Sequence, residues 1–236
     1  MGKPRRPSAP GGSTAPRRPA EPPPTPTPRP ADSRRWLASR AVVLAVVLGL
    51  VWLLLLRTRG PGEIDAEALR TASAAGCGQV EHPLAEAPGG QHLAAGGSYA
   101  YADRPAASGY HDPSPLPPEP HVYGEPVAET RAVHNLEHAY ALVYYRPAAD
   151  GGLAPETVTA LEGYAGDQGR VIMAPYPDLP EGISLALLAW NTRWECPAPL
   201  TPQQAVTNAT GFVDAYRGTT VAPEAPRGLL GPFLTK

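Results

Sequence analysis

Between residues 41 and 56 the chain reads AVVLAVVLGLVWLLLL, sixteen apolar positions without a charge. At about 1.5 Å per residue such a helix reaches roughly 24 Å, short of an about 30 Å hydrocarbon core. Trp36 and Leu37 lengthen it, and the stems of Arg34, Arg35, Arg40, Arg57 and Arg59 can snorkel at its two ends. An element apolar on every face belongs in a membrane rather than on a core. The following RTRGPGE has no small-x-small cleavage site, so the pattern predicts an uncleaved signal anchor over 36–58 rather than a signal peptide.

Further along, the period changes. Residues 139–145 (AYALVYY) alternate sides before Arg146-Pro147 and predict a strand. Residues 155–169 begin with Pro155 and carry Val158, Leu161, Tyr164 and Ala165 at helical spacing up to Gly169. The apolar runs 170–175 and 183–190 predict two paired strands. Residues 201–216 form the clearest helix. Thr201 caps it, Pro202 opens it, and Gln204 completes a capping box. Val206, Ala209, Val213 and Tyr216 line one face beside Phe212, and Gly218 stops it. The order β, α, β, β, α predicts an α/β (α+β) domain, a small mixed sheet with two or more helices. The expected organisation is a tail at 1–35, the anchor at 36–58, a linker at 59–76, a globular domain at 77–217 with a loop-rich first third, and an irregular end at 218–236. No internal repeat is visible.

Composition sharpens this picture. Proline accounts for 32 of 236 residues, too many for one globular domain over the whole length. Residues 1–33 lack Leu, Ile, Val and aromatics, so they have nothing to offset ordering entropy and read as a disordered, Pro/Arg-rich tail with polyproline II bias. Its PxxP spacings serve either a solvated spacer or a groove-docking ligand. The net charge of −2 hides an asymmetry. Residues 1–59 hold 11 cations and 2 acids, a net of +9, and residues 60–236 hold 9 cations and 20 acids, a net of −11. Nine Lys/Arg precede the apolar run, which places the N-terminus in the cytoplasm and the rest outside it. The expected partner is thus the membrane, through a single span. The acidic outer part disfavours nucleic acid, and nothing names a protein partner.

Cys77 and Cys196 bracket the folded part. Outside the cytoplasm such a pair is expected to form a disulfide, worth about 4–5 kcal/mol in the chain-entropy model; two buried thiols are the alternative. Neither lies in a CxxC, which argues against redox catalysis and Cys-rich zinc sites. No phosphate loop or dinucleotide fingerprint precedes a helix, and Ser108 lacks the nucleophile-elbow pattern. Asn208-Ala209-Thr210 is a glycosylation sequon inside a predicted helix, and the ten tyrosines fit core edges or a stacking platform.

All six histidines, His82, His92, His111, His121, His134 and His138, lie in the outer part. In His134-Asn135-Leu136-Glu137-His138 a helix would put both imidazoles on one face, as two ligands of one metal require. His-x-x-Glu-His is also the order of inverted zinc peptidases, where Glu activates water. The strand-like segment after His138, and the want of a distal acidic helix for a third ligand, argue against a peptidase. Two readings stay open: metal binding, and structural histidines hydrogen-bonded at a loop-to-strand junction.

This block, with the strand ending Tyr145-Arg146-Pro147, resembles the hallmark His-x-Leu-Glu-His-Gly and Tyr-x-Pro of the bacterial family catalogued as domain of unknown function 3105. Pro105 to Asp112 (PAASGYHD) is similar to that family's Pro-Pro-Thr-Ser-Gly-Pro-His-Tyr. His92, Ala189-Trp190 and Cys196 match further positions in order. The likeness covers about 77–197. Ala139 stands where the family has Gly, and Ala106, Ala107 and Tyr110 replace Pro, Thr and Pro. The resemblance implies a single-span protein of actinobacteria or their relatives with its domain outside, and it brings no activity with it. Arg outnumbering Lys 18 to 2 fits a high-GC genome.

The four motif histidines, His92, His111, His134 and His138, come from three separate segments and are the candidate metal ligands, with Glu137 as candidate catalytic base. Neutral imidazoles suit a transition metal such as zinc or copper, and Met173 would tilt the choice to copper if it were a ligand rather than core filler. Three ligands and an open position permit hydrolysis; four make a structural or carrier site. The expected function is an extracytoplasmic module with a His-rich metal site. The alternatives are a metal-dependent hydrolase using Glu137 and a metal-free envelope interaction or scaffold domain.

Overall fold

A computed structural model describes residues 40–51, 62–83, 89–219 and 221–225. The chain divides into two compact units, 1–57 and 58–236. In the first, residues 40–51 form helix α1. The predicted tail and residues 36–39 and 52–58 of the predicted anchor lie outside the described residues. No helix among the described residues is long and apolar enough to cross a membrane.

The second unit opens with α2 (Ala66–Ala75), in the stretch expected to be linker. Asp65 caps it by accepting from Ala68 N–H (2.7 Å), and Gly76, at φ 75°, turns the chain out. After a long irregular segment come α3 (Glu129–Glu137), β1 (Ala141–Tyr145), α4 (Pro155–Gly166), β2 (Val171–Pro175), β3 (Ile183–Ala189), β4 (Thr192–Pro197) and α5 (Pro202–Tyr216). The expected α+β class holds. In α5 the capping box forms as the sequence predicts: Gln204 N–H donates to Thr201 Oγ1 (3.2 Å) and Thr201 N–H to Gln204 Oε1 (3.0 Å).

The sheet order is β2-β1-β3-β4. β2 runs parallel to β1 and β3 antiparallel to it, so the expected pairing of the second and third strands is corrected. A strand that returns through a helix lands parallel beside its predecessor, and β1, buried at every position, takes the centre. β4, unforeseen, closes a hairpin on β3. The first strand begins two residues later than predicted, because Ala139 (φ 64°) turns the chain out of α3. Both sheet edges are covered. Glu81 bridges to Arg193 of β4, and Val122 to Met173 of β2.

Alternation along the strands builds two cores. Val143, Met173, Leu187 and Trp194 face α2, α4 and α5. Leu142, Tyr144, Ile172 and Leu188 face α3 and the irregular segment. Met173 is therefore fully buried among the helices of the first core, on the sheet face opposite α3, and is core filler rather than a ligand. Cys77 and Cys196 form the expected disulfide. Asn208 is buried with its amide 3.5 and 3.8 Å from the two sulfurs, which leaves the sequon inaccessible. The end expected to be irregular is packed in its first part: Ala222 and Ala225 are buried in the second core.

Candidate metal centre

Two backbone bonds lay the first two histidines side by side: Leu93 N–H donates to His111 O (2.7 Å), and His111 N–H to Gln91 O (3.2 Å). Their rings stand edge-on with centroids 4.8 Å apart. α3 adds His134 and Glu137, one turn apart on the face that meets them. The His134 ring lies 5.2 Å from that of His92 and 5.0 Å from that of His111. One ring nitrogen from each of the three falls within 4.8 Å of the others. His111 and His134 are buried, while the His92 side chain is 40% exposed.

Hydrogen bonds at the far side of each ring set the tautomers. His111 Nδ1 lies 2.8 Å from Gly109 O, and His134 Nδ1 lies 2.6 Å from Asp112 O. A carbonyl only accepts, so each Nδ1 carries a proton and each neutral ring presents a bare Nε2. His111 Nε2 then faces Glu137 Oε2 at 3.0 Å, with His92 Nε2 at 4.0 Å from the same oxygen. Two acceptors at that distance are stable only with a positive charge between them, either a second proton or a metal ion. The Glu137 side chain is wholly buried, its ion-pair partners among the described residues are histidines, and Oε1 accepts from Gly90 N–H. Such a carboxylate is costly to bury without a cation.

Burial holds His134 below the usual histidine range, helped by the neighbouring imidazoles and opposed by the Asp112 carbonyl. Its neutral form is the one a metal accepts. Asp112 is fixed in turn, its carboxylate accepting from Ser114 N–H (2.8 Å) and Gly96 N–H (2.7 Å), bonds that hold it below the usual carboxylate range.

His138 stands apart from the three-histidine group. It caps the end of α3, with its ring stacked on His134 at 4.8 Å and the two Nε2 atoms 2.9 Å apart. Since His134 Nε2 is bare, His138 is the donor in that contact. Its Nδ1 lies 3.4 Å from Glu224 Oε2. His82 and His121 lie outside the group too. His82 Nδ1 is 3.3 Å from Thr192 Oγ1, and His121 pairs with Glu119 and the Val171 carbonyl.

Several contributors went unseen in the sequence. Gly109 and Asp112 act through backbone carbonyls, although both lie in the 105–112 motif. Gly89 and Gly90 run against the carboxylate, and a Cβ at Gly89 would come within 2.8 Å of Glu137 Oε1. That adjacent glycine pair was the available signal. Glu224 had none. Trp190 packs edge-on to His111 at 6.2 Å, which gives the Ala-Trp motif a physical role.

The family model described as "Protein of unknown function (DUF3105)" matches residues 92–228. No curated protein and no solved structure matches the chain.

Proposed function

The chain belongs to this family of unknown function, and from its own geometry we propose a single-pass envelope protein whose outer domain binds one transition-metal ion, zinc or copper. The ligands are Nε2 of His111 and His134, a ring nitrogen of His92, and Glu137 Oε2 as the fourth donor. One observation carries the reading. Two imidazoles spend their Nδ1 protons on backbone carbonyls and keep bare Nε2 atoms, and that of His111 stands 3.0 Å from a buried carboxylate whose ion-pair partners among the described residues are histidines. Backbone carbonyls orienting the outer nitrogens are the usual support of metal-bound histidine. An ion there supplies the missing positive charge and replaces the His138 proton at His134.

Zinc and copper titrations of the full chain in detergent test it. We expect one ion per chain. His111→Gln and His134→Gln each lower affinity at least about tenfold, and His82→Gln and His121→Gln leave it unchanged. Glu137→Gln also loses affinity; retained affinity with loss of a hydrolytic activity would instead make Glu137 a base. Absence of stoichiometric binding of both metals sinks the proposal.

The membrane part of the reading rests on the apolar run 41–56, the cation excess before it, and a disulfide that fits an oxidising compartment. A phosphatase reporter that works only outside the cytoplasm, fused after Lys236, is expected to be active. Inactivity would place the domain on the other side.

A further inference from the structure

Next to the proposed ion site lies a cleft of about 280 Å³, at the small end for ligand pockets. Its floor is built without a ligand's help. Asn135, 2% exposed, accepts from Leu116 N–H (2.8 Å) and donates to Leu116 O (3.1 Å). Pro118 and Tyr140 continue the apolar wall. Two opposite charges complete it, and both touch His138. Arg170 Nη1 donates to the His138 carbonyl (2.7 Å), and the Glu224 carboxylate lies 3.4 Å from the ring. The Arg170 guanidinium is also 5.9 Å from the Tyr140 ring centroid. Its remaining N–H groups have no protein acceptor among the described residues.

The geometry points to a free α-amino acid with an apolar side chain as the occupant of this cleft. Its carboxylate takes the open side of the Arg170 fork, its ammonium takes Glu224, and its side chain covers Leu116, Pro118 and Tyr140. A ligand of one charge leaves the other wall charge unmatched. A dianion meets Glu224 and a diamine meets Arg170. The volume admits a molecule of one residue. The inference deepens the metal reading, and rests on it only for the consequence that the occupant lies one imidazole from the ion, since His138 Nε2 is 2.9 Å from His134 Nε2.

L-Leucine titrated calorimetrically into the full chain, stripped of metal by chelation, is the test. We expect saturable binding with Kd below about 1 mM. Its two single-charge analogues, 4-methylpentanoate and isoamylamine, bind at least about tenfold more weakly to the unaltered chain. Arg170→Gln and Glu224→Gln each weaken L-leucine by a similar factor, the loss of one charged hydrogen bond. No saturation by about 10 mM, or analogues that bind as well as L-leucine, overturns the inference. Zinc titrated in parallel separates the two proposals. Leucine binding without zinc binding sinks the ion site alone, and zinc binding without leucine binding sinks the pocket alone.

Discussion

Ala139 occupies the left-handed region at φ 64°, between the end of α3 and β1, with its N–H on Leu136 O and its carbonyl accepting from Gly218 N–H. That conformation costs an L-residue about 1–2 kcal/mol, against about 0.8 kcal/mol for the buried methyl. Strain outweighs burial, so Ala139→Gly should stabilise the fold by up to about 1 kcal/mol, read as a higher urea midpoint. Glu195 is a second strained residue. Burial raises its carboxyl above the usual value more than Arg193 lowers it, and Glu81 and Asp103 add to the rise. A carboxyl raised in the folded state costs stability above its unfolded value of 4.5 and costs nothing below it. Glu195→Gln therefore raises Tm at pH 7, and the gain shrinks as pH falls toward 4. Arg193 keeps Glu81 and Asp103, each at 2.8 Å. A lower Tm at pH 7 would show that the Arg193 pair outweighs burial. The site histidines were legible as residues because metal chemistry restricts side-chain types. Their supports at Gly109 and Asp112 were not, because a backbone carbonyl leaves no mark in a motif.

At the level of elements, local signals were read correctly and non-local ones were not. α5 announces itself through a capping box and an apolar face, all within sixteen residues. α2 was missed because its buried face is only Ala68 and Ala72, methyl groups too small to give a hydrophobic period. They are small because α5 comes close: a Cβ on Gly211 would overlap the Ala68 methyl. Gly211→Ala consequently tests the packing. Helix propensity alone favours it by about 1 kcal/mol, while overpacking costs about 1–3 kcal/mol, so the variant should lose stability. Gly163→Ala in α4, where a Cβ meets nothing within 4 Å, should gain up to about 1 kcal/mol by the same denaturation assay. β4 was missed because Thr192, Arg193 and Glu195 make it polar, as an outer strand tolerates. The wrong partner for β2 came from adjacency in sequence, which carries no information on which strand takes the centre.

Across the whole molecule, the Cys77–Cys196 bond ties the segment after α2 to β4 over a separation of 119 residues. In the chain-entropy model its removal costs about 4–5 kcal/mol. Cys77→Ser with Cys196→Ser should lower the urea midpoint accordingly and make it insensitive to reductant; an unchanged midpoint would mean that the bond constrains little in the unfolded chain. The fold class and the two bracketing cysteines were legible at this scale, because composition and chain order report on them directly. The packed stretch 221–225 was not, since two alanines and a proline look like any tail.

That stretch follows every helix and strand among the described residues, and Glu224 N–H donates to the Glu137 carbonyl on the helix that carries His134. A nascent polypeptide broken off before residue 221 would already own His92, His111 and His134, yet lack the wall that Glu224 gives the cleft. Completion of the pocket is thereby a late event in biogenesis, and a premature stop there would yield a product with its ligands in place and one side missing.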